Sequence, residues 1–127
     1  MKRSESISLF RSPISIDTDK ISLELEQFQN LCLRPILKFQ NDILVSYFKS
    51  NINLISIPES TSELENLVKN RLQKDLITRN TLLGMIIGLL HDEEMTFYMS
   101  HKNELNKRLV VMLTQRITDN LIHTSNL

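Results

Sequence analysis

The chain of 127 residues has few of the residues that make tight turns, with two glycines and three prolines. Sandwiches and barrels of β-strands need many turns with positive φ, which glycine adopts most readily. This scarcity argues against an all-β fold and favours long helices. Tryptophan is absent and aromatic residues make up only 6% of the chain, whereas apolar residues make up 41%, a proportion typical of a single globular domain.

Cysteine and net charge are also scarce. The single cysteine, Cys32, excludes a disulfide framework within the chain and favours a cytoplasmic location, where thiols stay reduced. Fifteen basic residues are balanced by fifteen acidic ones, so the chain has no net charge to attract nucleic acid or an anionic membrane. We therefore expect no nucleic-acid partner.

The chain has no long apolar run. The longest extends from Leu82 to Leu90 and has nine residues, glycines included, whereas a bilayer-spanning helix needs roughly 20. Near the N-terminus, Ser4, Glu5 and Ser6 interrupt anything resembling the apolar core of a signal peptide. We therefore expect no membrane association.

Periodicity divides the chain into an arm and a helical domain. Residues 1–19 are rich in serine, contain Pro13 and lack a helical period, so they are predicted to be an irregular arm. Residues 20–127 are predicted to be one domain. A first helix is expected to about Leu33, and a second should start or kink at Pro35 and end near Asn51. Ser60 with Glu63 forms a capping-box pattern, which predicts that a third helix starts there.

The apolar period that follows Ser60 continues to Ile86, which gives either one helix of nearly thirty residues or two consecutive ones. Asp92 is expected to cap a short helix, and a last helix carries apolar residues from Leu105 to Leu121. The sequence thus predicts an all-α, compact helical bundle of four to five helices with an irregular N-terminal arm. Residues 75–90 should be its central element.

Gly84 and Gly88 lie four residues apart in the most apolar part of the chain, on the same helix side as Ile77 and Thr81. Each glycine costs about 1 kcal/mol relative to alanine inside a helix. Two at this spacing favour close approach by another backbone, as in small-xxx-small pairs. The partner is either the chain's own last helix or a second copy, so these four residues are candidates for an interface or for close helix packing.

Charged residues interrupt the main apolar stripe. On a continuous helix Asp75 and Arg79 lie on that stripe, one turn apart and able to pair, and Arg71 borders it. Such a pair is either a structural ion pair that fixes helix register or part of a polar pocket that binds an anion or a partner's carboxylate.

One cluster has the residue types of a metal or acid–base site: His91, Asp92, Glu94 and His101. Its spacing matches neither HExxH nor the Glu-x-x-His motif of di-iron bundles. A helix cap with solvated neighbours is the favoured interpretation, and a metal site is the alternative. Cys32 lies on an apolar helix face, which favours a core residue over a reactive thiol. With two glycines, the chain cannot form a glycine-rich phosphate loop. We assign no catalytic residue and expect no cofactor.

Three blocks of the chain resemble a family of small all-helical bacterial proteins that has no established function: LRPILKFQNDIL (33–44), LQKDLITRNTLLGMIIGLLHDEEMTFY (72–98) and ELNKRLVVMLTQRI (104–117). Together they cover less than half of the chain. Some members of the family carry the label glyoxalase. Enzymes of the glyoxalase I type resemble one another in paired βαβββ modules with metal ligands on strands, and this sequence predicts no such strands. The resemblance implies an all-helical fold and leaves the function open.

Two functions remain for this helical domain. The first is a non-catalytic interaction protein, either a homodimer or a small subunit or adaptor of a larger assembly. The second is a protein that binds a small molecule or a metal, with enzymatic activity as one form of it, through the Asp75–Arg79 pair or the His91–His101 cluster. An exposed apolar patch beside the glycines would favour the first. A closed pocket with converging polar groups would favour the second.

Overall fold

A computed structural model describes residues 2–11, 21–52 and 57–125, and this part of the chain is helical and contains no strand. Its elements are α1 (Arg3–Ser8), α2 (Ile21–Gln27), a π-helical segment (Phe28–Leu33), α3 (Arg34–Phe39), α4 (Asn41–Asn51), α5 (Thr61–Lys74), α6 (Leu76–Ile87), α7 (Asp92–Ser100) and α8 (Lys102–Ser125). Because α2, the π-helical segment and α3 follow one another without a break, the described residues form seven separate helices. The all-α prediction is confirmed, and the count of four to five helices is too low.

The helix predicted to start or kink at Pro35 begins at Arg34, where the helix type changes from π to α without a break in the helical chain. Proline lies in the first turn of α3, directly after the π-helical segment, whose last bond runs from the Arg34 amide to the carbonyl of Gln29. A π-type turn leaves a carbonyl without its usual donor, and proline lacks the amide hydrogen, so the two fit together. The chain bends instead at Gln40, with φ −89° and ψ 3°, and the Gln40 side-chain amide donates to the Met85 carbonyl of α6 at 2.9 Å.

Polar caps set the limits of the next helices. Ser60 caps α5 by accepting a hydrogen bond from the Glu63 amide at 3.4 Å, as predicted. The long apolar period is interrupted at Asp75, which has extended backbone angles and is the N-cap of α6. The region is therefore two consecutive helices. His91 occupies the N-cap position of α7, one residue before the expected Asp92.

One core runs through the domain, and α8 is its central element. This helix contacts α4, α5, α6, α7 and the π-helical segment, with its longest contact along α5. It contributes a row of buried side chains: Leu105, Leu109, Met112, Leu113, Ile117 and Leu121. The centre of the bundle is thus the last helix rather than residues 75–90, because α8 is the longest helix and its apolar stripe continues along most of its length.

The N-terminal arm packs against this bundle. Part of it, expected to be irregular, forms the short helix α1, and Ile7 of α1 is buried. The Phe10 ring stacks on Phe39 of α3 with centroids 4.9 Å apart. Residues 12–20, which include the rest of the predicted arm, lie outside the described residues.

Candidate functional site

The four candidate interface residues, Ile77, Thr81, Gly84 and Gly88, lie on the solvent side of α6. We call this surface the glycine face. The Ile77 side chain is 79% exposed, and a Cβ added at Gly84 would meet no atom of the described chain within 4 Å. Thr81 donates its hydroxyl to the Ile77 carbonyl at 2.8 Å, which satisfies it within the helix. Close approach by the chain's own last helix therefore does not occur at Gly84.

Gly88 differs from Gly84 in its surroundings. It follows the last residue of α6, and a Cβ added there would lie 3.0 Å from the Gly84 carbonyl oxygen. Its own carbonyl accepts a hydrogen bond of 2.8 Å from Arg3 of the arm. Local backbone geometry therefore explains glycine at position 88, whereas nothing in the described part of the chain requires it at position 84.

An open hollow of about 890 Å³ borders the start of the glycine face. Ile52 and Leu67 line it together with Leu76 and Ile77. Leu76 is 53% exposed, although its spacing places it on the apolar stripe, because the break at Asp75 changes the register of α6 relative to α5. The other residues that line the hollow are polar or charged: Asn70, Arg71, Lys74 and Asp75. Ile77 belongs to both the hollow and the glycine face.

Asp75 and Arg79, predicted to pair, take different partners. The Asp75 carboxylate accepts hydrogen bonds from the Thr78 amide at 3.1 Å and the Thr78 hydroxyl at 2.8 Å. It also forms an ion pair of 3.3 Å with Arg71. The bonds from Thr78, and secondarily the charge of Arg71, lower the pKa of Asp75. This carboxylate is therefore a helix cap, and Arg79 has no hydrogen bond or ion pair with any described residue.

The four candidate metal ligands have separate roles. Asp92 is exposed and pairs with Arg3 at 3.1 Å, and Glu94 is buried. The His101 ring packs against Phe97 and hydrogen bonds to its carbonyl at 3.1 Å. His91 is buried at the start of α7. Within residues 2–11, 21–52 and 57–125, no three His, Cys, Asp or Glu side chains lie close enough together to hold a metal ion.

A buried polar cluster connects the arm to the bundle, and sequence reasoning missed it. Arg11 donates two hydrogen bonds to the Glu94 carboxylate, at 2.6 and 2.7 Å, and these side chains are only 8% and 4% exposed. Arg11 also lies 3.2 Å from the Cys32 sulfur, and Glu94 accepts a 2.8 Å bond from the His91 amide. Because 83 residues separate Arg11 from Glu94, no periodic pattern could reveal this pair.

Cys32 is a poor nucleophile in this setting. It is completely buried, and burial, followed by the nearby Glu94 carboxylate, raises the pKa of its thiol far above the usual range. The thiol is therefore neutral, whereas nucleophilic cysteines react as thiolates. The cluster around it is suited to holding the arm rather than to chemistry.

The described helices and the comparisons with known proteins leave the function open. No helix within the described ranges has both the length and the apolar character needed to cross a membrane. The chain matches no protein-family model, no curated protein and no solved structure.

Proposed function

We propose that the protein is a non-catalytic interaction protein and that the glycine face of α6 is its contact surface. The observation that carries this proposal is that Gly84 faces open space while Ile77, on the same side of α6, is 79% exposed. Burying an isoleucine side chain contributes about 1.5–3 kcal/mol, and a small residue beside it permits a second backbone to come close. Contact by another helix would use both features.

A second copy of the chain is the partner we propose, with a small subunit or adaptor role in a larger assembly as the alternative. Two-fold dimers place the same patch of each subunit against its copy, which requires a self-complementary surface. None of the four glycine-face residues is charged, and the only charged residue of α6, Arg79, lies about 200° around the helix from Ile77. Arg3, which donates to the Gly88 carbonyl at one end of the face, is paired with Asp92. Like charges would therefore not meet at the two-fold axis.

The proposed location is the cytoplasm, and nucleic acid is not a proposed partner. The buried thiol of Cys32 is compatible with a reducing compartment. The equal numbers of basic and acidic residues provide no overall attraction for a polyanion.

The test compares the solution mass of wild-type protein and Gly84→Leu by light scattering. We expect a wild-type dimer and a folded monomer for Gly84→Leu, because the added side chain projects into the space that the second copy would occupy. The variant should keep its helix content in circular dichroism, since no described atom lies within 4 Å of the new Cβ.

Ser46→Leu is the matched control, because it adds leucine at an exposed position in the middle of another helix, α4. It should remain a dimer. A wild-type monomer at every accessible concentration would contradict self-association. A dimer that persists in Gly84→Leu would show that the contact surface lies elsewhere.

A further inference from the structure

Arg79 is a partly buried arginine without a counter-charge. Its Nε atom is inaccessible to solvent and has no hydrogen-bond partner in the structure. None of its nitrogens forms a hydrogen bond or ion pair with another described residue. The nearest carboxylate in sequence, Asp75, is already satisfied by Thr78 and Arg71. A buried polar group without a partner is destabilising, so an unpaired arginine of this kind calls for an explanation.

The Arg79 side chain lines a groove between α5 and α8. Lys69 and Gln73 form its wall on α5, while Lys107 and Val111 form its wall on α8. The groove has a volume of about 660 Å³, which lies within the range of small-molecule sites. It lies on the opposite side of α6 from the glycine face, so the inference below goes beyond the proposed function.

The charges of this groove are unbalanced. Among the described residues that line it, Arg79, Lys69 and Lys107 are basic and only Glu65 is acidic. Neither lysine forms a hydrogen bond or ion pair within the described part of the chain. The groove therefore has two positive charges in excess although the chain as a whole is neutral.

Apolar and neutral polar groups complete the groove. Val110 and Val111 line it, and Val111 is 69% exposed. Asn106 accepts a 2.6 Å hydrogen bond from the Tyr98 hydroxyl through its Oδ1 atom, which leaves its amide nitrogen as a donor. A bound molecule would thus meet hydrogen-bond donors and an apolar surface together.

We propose that this groove binds a small organic dianion, a phosphate monoester or a dicarboxylate. The planar guanidinium of Arg79 binds the anionic group with two parallel hydrogen bonds, the geometry in which arginine recognises carboxylate and phosphate. Lys69 and Lys107 neutralise the second charge, and Val110 and Val111 contact the apolar part of the ligand. Binding would supply the partner that Arg79 lacks.

Isothermal titration calorimetry with phenyl phosphate, phthalate and inorganic phosphate tests the proposal. We expect one of the two organic dianions to bind with one-to-one stoichiometry and a Kd of about 1 mM or below, and the tighter of the two to identify the ligand class. Arg79→Gln should weaken this binding by about tenfold or more, which corresponds to about 1.4 kcal/mol, because it removes the charge-assisted hydrogen bonds to the ligand. Lys69→Gln, a substitution of an exposed residue that leaves the fold intact, should weaken it less.

Lys38→Gln is the matched control, because it removes one exposed positive charge outside the groove, on α3. It should bind as the wild type does. No saturable binding of either organic dianion to folded wild-type protein would overturn the proposal, and so would unchanged affinity in folded Arg79→Gln or an equal loss in Lys38→Gln. Inorganic phosphate binding as tightly as phenyl phosphate would contradict the apolar contact.

Discussion

At the scale of single residues, Asp75 and Arg79 show how local geometry overrides a helical pattern. Their spacing places both on one stripe only if the helix is continuous, which was one of the two alternatives that the sequence allowed. Aspartate side chains, however, readily accept hydrogen bonds from nearby backbone amides and so favour N-cap positions. At the N-cap of α6, the Asp75 carboxylate accepts one hydrogen bond from the Thr78 amide and another from the Thr78 hydroxyl. Once Asp75 acts as a cap, Arg79 loses its predicted partner and projects into the α5–α8 groove.

Replacing Arg79 by methionine should stabilise the unliganded protein. The substitution keeps an unbranched side chain for packing and removes a buried Nε that has no hydrogen bond. It also reduces repulsion among the basic residues of the groove. We expect the free energy of unfolding to rise by about 1 kcal/mol, measured by urea denaturation.

Lys69→Met is the comparison for this stability effect. Lys69 is exposed, so replacing it removes a positive charge from the same groove without removing a buried unpaired atom. Its unfolding free energy should change by less than that of Arg79→Met. A destabilised Arg79→Met protein would show that the guanidinium has a structural partner in solution, and the argument for an anion site would then fail.

At the scale of elements, starts of helices were easier to predict than interruptions. Ser60 with Glu63 carries its capping information within four residues, so the start of α5 was read from the sequence alone. Asp75 with Thr78 has a similar local signal, but the apolar period that runs on through Leu76 concealed it. The break at Asp75 changes which side chains of α6 face the core. Leu76, which the apolar period places in the core, is for this reason more than half exposed.

Replacing Asp75 by alanine should destabilise the start of α6 in a pH-dependent manner. The pKa of Asp75 is lower in the folded protein than in the unfolded chain, since hydrogen bonds from Thr78 favour its charged form. The stabilisation of the folded protein by the Asp75 carboxylate is therefore complete above the pKa of the unfolded chain, about 4, and is lost as the pH falls through the pKa of the folded protein. Thermal unfolding from pH 7 to pH 2 should show a lower Tm for Asp75→Ala at pH 7 and a shrinking difference below about pH 4.

Glu59→Ala provides the reference for this pH series. Glu59 is exposed, lies just before α5 and makes no hydrogen bond or ion pair with the described residues. Its replacement should leave the dependence of Tm on pH close to that of the wild type. A Tm difference for Asp75→Ala that stayed constant from pH 7 to pH 2 would mean that the carboxylate charge does not support the cap.

At the scale of the whole molecule, the sequence predicted the class of fold but not how its parts meet. Helical periodicity is a local property, so all-α architecture followed from it. Contacts between distant segments have no such signature: Arg11 meets Glu94 across 83 residues, and the aromatic pair Phe10–Phe39 joins the arm to α3. The position of Arg79 in a groove formed by α5 and α8 is likewise set by packing and not by spacing.

Two ion pairs of very different burial hold the arm over the end of α6 and the start of α7. Arg3 pairs with Asp92 where the two side chains are 46% and 74% exposed, whereas the Arg11 and Glu94 side chains are 8% and 4% exposed. Exposed pairs contribute about 0–1 kcal/mol, but removing one partner of a buried pair costs about 3–5 kcal/mol because it leaves a charge uncompensated. The arm should therefore depend on Arg11 and Glu94 far more than on Arg3.

Glu94→Gln should release the arm and expose Cys32, whose sulfur lies 3.2 Å from the Arg11 guanidinium. Once the arm opens, Arg11 can reach water instead of remaining buried without a counter-charge, so local opening is favoured over global unfolding. We expect the rate of Cys32 alkylation by iodoacetamide at pH 8 to rise by about tenfold or more, which corresponds to about 1.4 kcal/mol of opening free energy. Arg3→Met, which removes the exposed ion pair and the hydrogen bond to the Gly88 carbonyl, should leave the rate within about twofold of the wild type. Equal alkylation rates in Glu94→Gln and the wild type would show that the arm stays docked without this pair, and its attachment would then rest on Ile7 and Phe10.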